Sequence, residues 1–422
     1  MAVTGQPPAP TDEQVRLRHS PGDDDPWRLW GPYLSARQWG TVREDYSDDG
    51  DAWAHFPFDQ AHARAYRWGE DGIAGLTDRY GFLNLAVAAW NHRDDRLKER
   101  LFGLTNAQGN HGEDAKEYWW ALDATPTHSW AQHLYRYPQA AFPYATLVEE
   151  NARRGPDAPE LQLADTGVLQ ESRFFDIVTT HAKVAPDDVC MVIEATNHGP
   201  DAAPLDLVPQ PWFRNTWSWG RDDRRPSLRL VDADDTLAPG TTVIQAEHGW
   251  LGRYVLVAEG APDVLFCDNE TNVAAVFGPD AGASLSAYPK DGIGRAVVDG
   301  DDSGTNPAAT GTKVGLVYRF ESVAPGETVR VQLRLRADHQ VERPFGRSFA
   351  SGLEDRSREA DEFYDTVIPS DVSDEDRHIS RRAFAGLNWG KQLYRYSVKE
   401  WLDGDPTGPP APPGRRARTA RN

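Results

Sequence analysis

Tryptophans and carboxylates crowd the sequence between residues 30 and 72. The runs Trp39–Tyr46 and Arg67–Gly72 each combine an indole with arginine and adjacent acidic residues. Indole faces stack on the C–H faces of sugar rings, and charged groups bind hydroxyls through directional hydrogen bonds. We therefore predict a carbohydrate-binding site formed by the following residues: Trp39, Arg43, Glu44, Asp45, Trp68, Glu70 and Asp71.

In this predicted site, the indoles of Trp39 and Trp68 stack on the sugar, and Arg43 orients Glu44 or Asp45. The same residue types also suit an interface between two domains, and the sequence leaves that alternative open. The second aromatic run, Trp212–Trp219, has the same ambiguity. It is either a loop that caps the core or a face that meets a sugar or a neighbouring domain.

Cleavage of a glycosidic bond needs two carboxyl groups flanking the bond, about 6.5–9.5 Å apart for an inverting reaction. Several acidic pairs here are adjacent in sequence, as in Glu44/Asp45 and Glu70/Asp71. Neighbouring residues of a strand point to opposite faces, so such pairs do not face one another across a bond. They are better ligands for hydroxyls or arginines, and we predict no catalytic residue from them.

Motifs for metals and cofactors are incomplete. His55 and His62 lie too far apart to form a local pair, and His111 with Glu113 lacks the downstream cysteine pair of a zinc deaminase. Gly292 and Gly294 lack the third glycine of a dinucleotide-binding turn. We predict no metal and no cofactor.

Charge and cysteine usage narrow the class of protein. The net charge of −20 argues against binding to nucleic acid or to an anionic membrane surface. The sequence contains no apolar run of membrane-spanning length, and residues 1–18 do not resemble a secretory signal. Cys190 and Cys267 lie in apolar stretches and are expected to be buried free thiols, which fits a cytoplasmic protein.

The elements that would position the site are mainly β. Apolar spacing at Leu83, Val87 and Trp90 predicts helices within residues 81–104. From residue 171, short apolar runs separated by turn residues predict an antiparallel β-sandwich. The predicted strands are Arg173–His181, Val189–Thr196, Leu205–Val208, Ser227–Val231, Thr241–Ala246, Arg253–Ala258, Val273–Phe277, Val314–Glu321 and Glu327–Ala337.

The last part of the sequence is predicted to be helical. One helix covers Leu353–Tyr364, and Ser373 with Asp376 forms a capping pair that opens another, running towards Tyr394. The second helix carries an apolar stripe, Ile379, Ala383 and Leu387, that needs a partner. The predicted organisation is a flexible leader (1–26), a sandwich domain (27–350), a linker helix with the first helix of a further domain (351–402) and a Pro/Arg-rich tail (403–422).

Several runs resemble the N-terminal half of bacterial members of glycoside hydrolase family 63, which includes processing α-glucosidases and mannosylglycerate hydrolases. The similarity spans most of residues 27–405. The runs that carry it are Trp30–Tyr46 (WGPYLSARQWGTVREDY), Tyr66–Gly75 (YRWGEDGIAG), Lys98–Thr105 (KERLFGLT), Gly109–Glu117 (GNHGEDAKE), Thr125–Ser129 (TPTHS) and Trp212–Trp219 (WFRNTWSW).

The resemblance implies a β-sandwich packed on an (α/α)6 barrel that carries a general-acid Asp and a general-base Glu. It also implies inverting hydrolysis of an α-linked oligosaccharide or small glucoside. The sequence stops after the segment that resembles the first barrel helix, Asp374–Trp401, so we expect a truncated, non-catalytic half of a glucosidase-like enzyme. The alternative is a carbohydrate-binding or scaffold module that works with a separately encoded catalytic barrel.

Overall fold

The computed structural model describes residues 9–18, 25–41, 56–111, 114–232, 240–337 and 343–407, together with 410, 411, 414 and 416. The strands are β1 (Trp30–Gly31), β2 (Ile73–Asp78), β3 (Leu83–Trp90), β4 (Gly103–Leu104), β5 (Asp114–Ala115), β6 (Tyr118–Ala124), β7 (Trp130–Pro138), β8 (Phe174–Ala185), β9 (Asp188–Asn197), β10 (Ala203–Phe213), β11 (Ser227–Val231), β12 (Thr241–His248), β13 (Gly252–Glu259), β14 (Asp263–Cys267), β15 (Thr310–Gly311), β16 (Lys313–Val323) and β17 (Thr328–Ala337). The helices are α1 (Asp12–Arg18), α2 (Phe58–Ala61), α3 (Tyr144–Arg153), α4 (Val273–Phe277), α5 (Gly292–Val298), α6 (Arg347–Val367), α7 (Asp374–Trp389) and α8 (Val398–Asp403).

Two large sheets form the body of the protein, which confirms the predicted mainly β fold with a few helices. One sheet has six strands in the order β1-β2-β3-β10-β16-β14, and the other has nine in the order β15-β11-β12-β13-β17-β9-β8-β7-β6. The ladders that build both sheets are antiparallel, as between β3 and β10 or between β8 and β9. The largest hydrophobic cluster takes buried side chains from both sheets, so the core lies between them, as in a β-sandwich.

Alternation along the strands explains how the core forms. On β17, Val331, Leu333 and Leu335 enter the central cluster, while Arg330 on the opposite face is exposed. Since successive side chains of a strand point to opposite faces, this pattern buries one side of the strand in the sandwich. Most of the strands predicted after residue 171 appear close to their predicted bounds.

The helices predicted within residues 81–104 are wrong. Residues 83–90 form β3, a central strand that pairs with β2 on one side and with β10 on the other. Leu85 and Val87 face the core, and Ala86 and Ala88 are also buried, on the outer face of the sheet. A strand that is buried on both faces reads as a continuous apolar run, which periodicity alone does not distinguish from a buried helix.

The outer face of the six-stranded sheet is covered by α5 and by the loop that follows β3. Ala88 of β3, Val208 of β10 and Val317 of β16 form one apolar cluster with Ile293 of α5 and with Leu97 of that loop. This layer matters for function because the loop also carries a series of charged residues. Those residues are thereby brought to the same surface as the start of β2.

Two further predictions concern helices. Val273–Phe277, predicted as a strand, is the helix α4, whose first turn is capped by the Asn272 side chain accepting from the Ala275 amide at 3.2 Å. α7 begins at Asp374, and Ser373 Oγ accepts from the Asp376 amide at 3.1 Å, which confirms the predicted cap. α7 ends at Trp389, before the predicted Tyr394. Within the described ranges, no helix has both the length and the apolar composition needed to cross a bilayer.

Candidate functional site

The two tryptophans of the predicted sugar site are buried. Trp39 and Trp68 each expose 2% of their surface and lie in one cluster with Phe56 and Tyr66. The indole nitrogen of Trp39 donates to the carbonyl oxygen of Leu101 at 3.0 Å. Protein atoms cover both indoles in this conformation, so stacking on a sugar would require the covering segment to move. Their role as stacking residues stays a prediction.

Glu70 and Asp71 lie just before β2 and are also buried. The Asn269 side-chain amide donates to Glu70 Oε1 at 2.6 Å, and Arg100 Nε lies 3.0 Å from Asp71 Oδ1. Burial raises the pKa of Glu70, against the opposing effects of the Lys290 ammonium and the Asn269 hydrogen bond. The other predicted members of the site, Arg43, Glu44 and Asp45, lie outside the described residues.

Glu70 and Asp71 belong to a larger charged group that we call the Arg100 cluster. Its members are Glu70, Asp71, Glu99, Arg100, Asn269, Lys290 and Lys313. Glu99 sits between two cations, because Arg100 contacts it on one side and Lys313 Nζ donates to its Oε2 at 2.7 Å on the other. Burial alone would raise the pKa of Glu99, but Arg100 and Lys313 outweigh it and hold that pKa well below its usual range. Glu99 is therefore ionised at neutral pH.

Lys290 is the cation of this cluster that burial affects most. Its ammonium donates to the Arg64 carbonyl oxygen at 2.9 Å. Burial and the neighbouring Arg100 lower its pKa to about 8, although Glu70 and Asp71 oppose the shift. The pKa values of the cluster thus move in the directions that low polarity and close ion pairing dictate.

A small cavity lies within the Arg100 cluster and measures about 10 Å³. A cavity of this size holds about one water molecule. Two of its lining residues, Asp71 and Asn269, each have a buried side-chain oxygen without a hydrogen-bond partner among the described residues. A single bridging water would satisfy both oxygens, and we interpret the cavity as a hydration site rather than a substrate site.

A second buried group, the Lys98 cluster, lies on the other side of the same loop. Its members are Asp94, Lys98, Glu117, Tyr135, Tyr137 and Tyr144. Lys98 Nζ donates to Glu117 Oε1 at 2.7 Å and to the Tyr144 hydroxyl oxygen at 2.6 Å. Burial raises the pKa of Asp94 to about 6, although Lys98 opposes the shift.

Sequence reasoning missed the side chains that organise both clusters. Lys98, Glu99 and Arg100 are consecutive, and they lie inside the run Lys98–Thr105 singled out above. Three consecutive charged residues close to an apolar strand are a pattern that could have indicated buried ion pairs. Lys98 enters one cluster, whereas Glu99 and Arg100, the latter at a bend of the chain, both enter the other.

Hydrogen bonds or ion pairs join five of the six sequence runs defined above. The amide of Gly72 donates to the Ser35 carbonyl oxygen at 3.0 Å, which joins 66–75 to 30–46. The Trp39 indole reaches Leu101, which joins 30–46 to 98–105. Arg100 pairs with Asp71 and thereby joins 98–105 to 66–75.

The runs 109–117 and 212–219 are joined to the others in the same way. The Lys98–Glu117 pair joins 98–105 to 109–117, and Arg214 Nη1 donates to the Arg67 carbonyl oxygen at 2.7 Å, which joins 212–219 to 66–75. The sixth run, 125–129, touches 30–46 through the rings of Tyr33 and His128, whose centroids lie 5.3 Å apart, and its Thr127 amide donates to Glu13 of α1 at 2.7 Å. We call the five joined runs the convergence surface.

The segment after α7 lies across this convergence surface. The amide of Leu393 donates to the Tyr33 carbonyl oxygen at 2.9 Å, and the amide of Arg395 donates to the Trp68 carbonyl oxygen at 2.7 Å. Arg67 forms ion pairs with Glu400 and with Asp405. The chain that leaves α7 is therefore held by main-chain hydrogen bonds and by buried charge at the place where the runs meet.

In the residues that the structure describes, no group of three or more His, Cys, Asp or Glu side chains is placed to hold a metal ion. The acidic residues of the Arg100 cluster are each engaged by a cation or an amide. The arrangement as a whole is suited to holding loops in place. Direct exchange of protons with a substrate would require a carboxyl group that is less tightly paired.

Comparison with known proteins gives limited matches. No family model matches the chain. An uncharacterized protein of Saccharomyces cerevisiae, YMR196W, is 38% identical to it over an alignment of 446 residues, which covers 96% of this chain but 40% of the yeast protein. The chain thus spans about two fifths of the length of this relative.

A solved structure from Escherichia coli K12, provisionally assigned as an aldose 1-epimerase, has 12% sequence identity to the chain. It covers 52% of this chain and 68% of its own, with a TM-score of 0.24. A likeness at this level supports no conclusion about fold or function.

Proposed function

We propose that this chain is the β-sandwich half of a glucosidase-like enzyme that hydrolyses α-glycosidic bonds with inversion, and that its acid and base lie on helices outside the sandwich. The substrate class in this proposal is an α-linked oligosaccharide or small glucoside. In this proposal, the sandwich packs against the start of the helical part and forms one border of it. The proposal combines the resemblance to glycoside hydrolase family 63 with the observations below.

The convergence surface is the observation that carries the proposal. Five runs that resemble the family are spread between residues 30 and 219, and each touches another through a named contact. A structural core alone would not require the resembling segments to meet at one place. Their joint position under the segment after α7 supports a shared role at the junction between a sandwich and a second domain.

The state of the carboxylates supports a non-catalytic role for this surface. An inverting glycosidase needs one carboxylic acid that stays protonated and one free carboxylate that activates water. In the Arg100 cluster, Glu99 is held ionised between Arg100 and Lys313, and Asp71 pairs with Arg100. Glu70, whose pKa is raised by burial, accepts a hydrogen bond from Asn269. These pairings support a role for the cluster in holding the loops, and the proposal assigns the catalytic pair to the helical part.

The exposed face of α7 gives independent support. Its other face packs on β6 and β7 through Ala385 and Trp389, and Arg381 forms a bidentate pair with Asp123 at 2.7 and 2.9 Å. Ile379 and Leu387, by contrast, are 59% and 72% exposed. A helix that packs one face on a sandwich and leaves an apolar stripe open is expected at the start of a further helical layer.

Activity measurements on the yeast relative test the proposal. The full-length yeast protein, its segment that matches this chain, and this chain would each be assayed with p-nitrophenyl α-glucoside, α-linked disaccharides and mannosylglycerate. We expect turnover by the full-length protein only, with the β-anomer of the sugar as the first product in an NMR time course. Turnover by this chain alone, or no hydrolysis of any α-glycoside by the full-length relative, would overturn the proposal.

The role assigned to α7 has its own test. Leu387→Ser is expected to reduce self-association of this chain in light scattering, because it breaks the apolar stripe. Leu285→Ser is the matched control, since Leu285 is 74% exposed but lies outside α7. Equal behaviour of the two variants would contradict a special role for the stripe.

A further inference from the structure

A pocket of about 170 Å³ opens beside the Arg100 cluster, on the outer side of the six-stranded sheet. It lies between α2, the loop after β3 and α5. Glu99 and Arg100 belong both to its wall and to the cluster beneath it. The lining residues on which the argument depends are Phe58, His62, Arg96, Leu97, Gly294 and Arg295.

The size of the pocket suits a single six-membered ring. A protein cavity of about 150 Å³ is large enough to admit benzene. This pocket is slightly larger and is open on one side, so the hydroxyl groups of a pyranose can extend towards solvent. A disaccharide would place its second ring outside the pocket.

The walls have two different characters. Phe58, Leu97 and Val298 supply apolar surface, which suits the C–H face of a ring. The remaining wall is polar and carries guanidinium, imidazole and carboxylate groups. A ligand that fits both walls has an apolar face and a rim of hydrogen-bonding groups, which is the character of a sugar.

The guanidinium groups of the polar wall are already paired, whereas the exposed carboxylate of Asp299 has no ion-pair partner among the described residues. Arg96 donates to Asp95 and to Asp59, each at 2.8 Å, and Arg100 pairs with Asp71 and Glu99. Arg295 lies 3.6 Å from Asp291. Since each guanidinium has a carboxylate partner, an anionic ligand would have to displace one of these carboxylates, whereas a neutral ligand can use the remaining donors and acceptors.

His62 is an uncharged side chain of this wall whose ring nitrogens are available for hydrogen bonding. It is half-buried, and neither ring nitrogen has a hydrogen-bond partner in the part of the chain that the structure describes. Burial lowers its pKa, Glu99 opposes the shift, and Arg100 and Arg96 add to it. The ring is therefore neutral at neutral pH and offers one donor and one acceptor, which is how an imidazole binds vicinal hydroxyls.

We propose that this pocket binds one neutral monosaccharide unit, with its apolar face on Phe58 and Leu97 and its hydroxyls on His62, Arg96 and Glu99. The inference goes beyond the proposed hydrolase role, because the site is complete on the sandwich and uses none of the predicted stacking tryptophans. It also assigns a binding role, without cleavage, to the sandwich itself.

Titration of this chain with simple sugars tests the site. The probes are D-glucose, D-mannose and maltose, with glucose 6-phosphate and glucosamine as charged analogues, followed by calorimetry and saturation-transfer NMR. We expect at least one neutral sugar to bind with a Kd on the order of 1 mM, and the anionic glucose 6-phosphate to bind about tenfold more weakly. Tighter binding of a charged analogue, or no binding of any neutral sugar, would overturn the proposal.

Gly294 provides a matched pair of variants. A Cβ at this position would meet only Leu97 at 3.8 Å, so a larger side chain enters the pocket without a clash at its first atom. Gly294→Leu should weaken sugar binding about tenfold or more, and Gly294→Ala should change it less than about threefold. His62→Leu should weaken binding about fivefold or more because it removes two hydrogen-bonding atoms.

Circular dichroism of each variant separates loss of the site from loss of the fold. Unchanged sugar affinity in folded Gly294→Leu would place the ligand elsewhere and overturn the assignment. The measurement has no hydrolysis readout, so its outcome is independent of the activity assays on the yeast relative. Binding without hydrolysis anywhere would leave this site standing and remove the hydrolase role.

Discussion

The Lys98 cluster and the Arg100 cluster are built from consecutive residues of one loop, yet they have different surroundings. In the Lys98 cluster, the side chains of Lys98 and Glu117 expose 0% and 1% of their surface. In the Arg100 cluster, Glu99 and Arg100 line a pocket that is open to solvent. Buried charged side chains can therefore either stabilise the fold or form the wall of a binding site, depending on whether water or a ligand can reach them.

The largest effect is expected in the sealed cluster. Glu117→Gln leaves the Lys98 ammonium buried without its carboxylate, which should reduce the free energy of unfolding by about 3–5 kcal/mol. Urea denaturation would measure it. The control is Glu150→Gln, which removes an exposed helix ion pair and should leave the unfolding midpoint unchanged. A small effect of Glu117→Gln would remove the distinction between the two clusters.

The stability of the protein should depend on pH through Asp94, a buried carboxyl group of the Lys98 cluster. Burial raises the pKa of Asp94 from 3.8 to about 6, so the folded state binds a proton more tightly than the unfolded state. This contributes stability of about 3 kcal/mol that is fully present below pH 4 and is lost as the pH rises through 6.

Asp78 has a pKa that burial likewise raises to about 6, so it contributes in the same range. Asp94→Asn should therefore remove the contribution of Asp94 to this pH dependence and leave that of Asp78 and of the other buried carboxyl groups. The measurement is the difference in unfolding free energy between variant and parent from pH 4 to pH 7. A difference that does not change with pH would show that Asp94 does not titrate in this way.

A smaller loss of stability is expected in the open cluster. Glu99→Gln keeps the shape of the side chain, and Arg100, one of the two cations that lose their partner, lines the open pocket, where water can approach it. We expect a decrease in unfolding free energy of about 1–3 kcal/mol, together with weaker sugar binding. A loss as large as that of Glu117→Gln would mean that both clusters act as structural locks.

The smallest effect is expected at the helix that forms the pocket wall. Gly294→Ala should raise the free energy of unfolding by about 0.5–1 kcal/mol, because alanine favours the helix and meets no close atom. Gly292→Ala is the matched contrast, since its Cβ would lie 2.0 Å from the Gly304 carbonyl oxygen and must destabilise the protein. Thermal unfolding of both variants measures these effects. A Gly292→Ala variant more stable than Gly294→Ala would contradict the packing described for α5.

Local rules predicted the elements with strong patterns. The alternation on β17 and the Ser373 cap of α7 appear as expected, because each depends on residues close together in sequence. The helices expected within 81–104 fail for the opposite reason. β3 is apolar on both faces because α5 and the loop after β3 cover its outer side, and no local pattern records that cover.

The candidate site was predicted in part. The run that contains Glu70 and Asp71 does join the convergence surface, but the sequence did not show that Arg100 and Asn269 would engage these carboxylates. It also did not show that the segment carrying Tyr396 and Trp401 would pack on Trp68. The residue types indicated a carbohydrate-binding site, whereas burial in the tertiary structure decided which of these side chains remain accessible.

The sequence by itself determined the mainly β character, the strand alternation, the capped α7 and the apolar stripe on that helix. These follow from periodicity and capping, which act over a few residues. Only the tertiary structure decided that Lys98 enters a sealed cluster while Glu99 and Arg100 line a pocket. The physical reason is that the protonation, pairing and accessibility of a charged side chain depend on what packs around it, and those neighbours come from strands and loops far away in the chain.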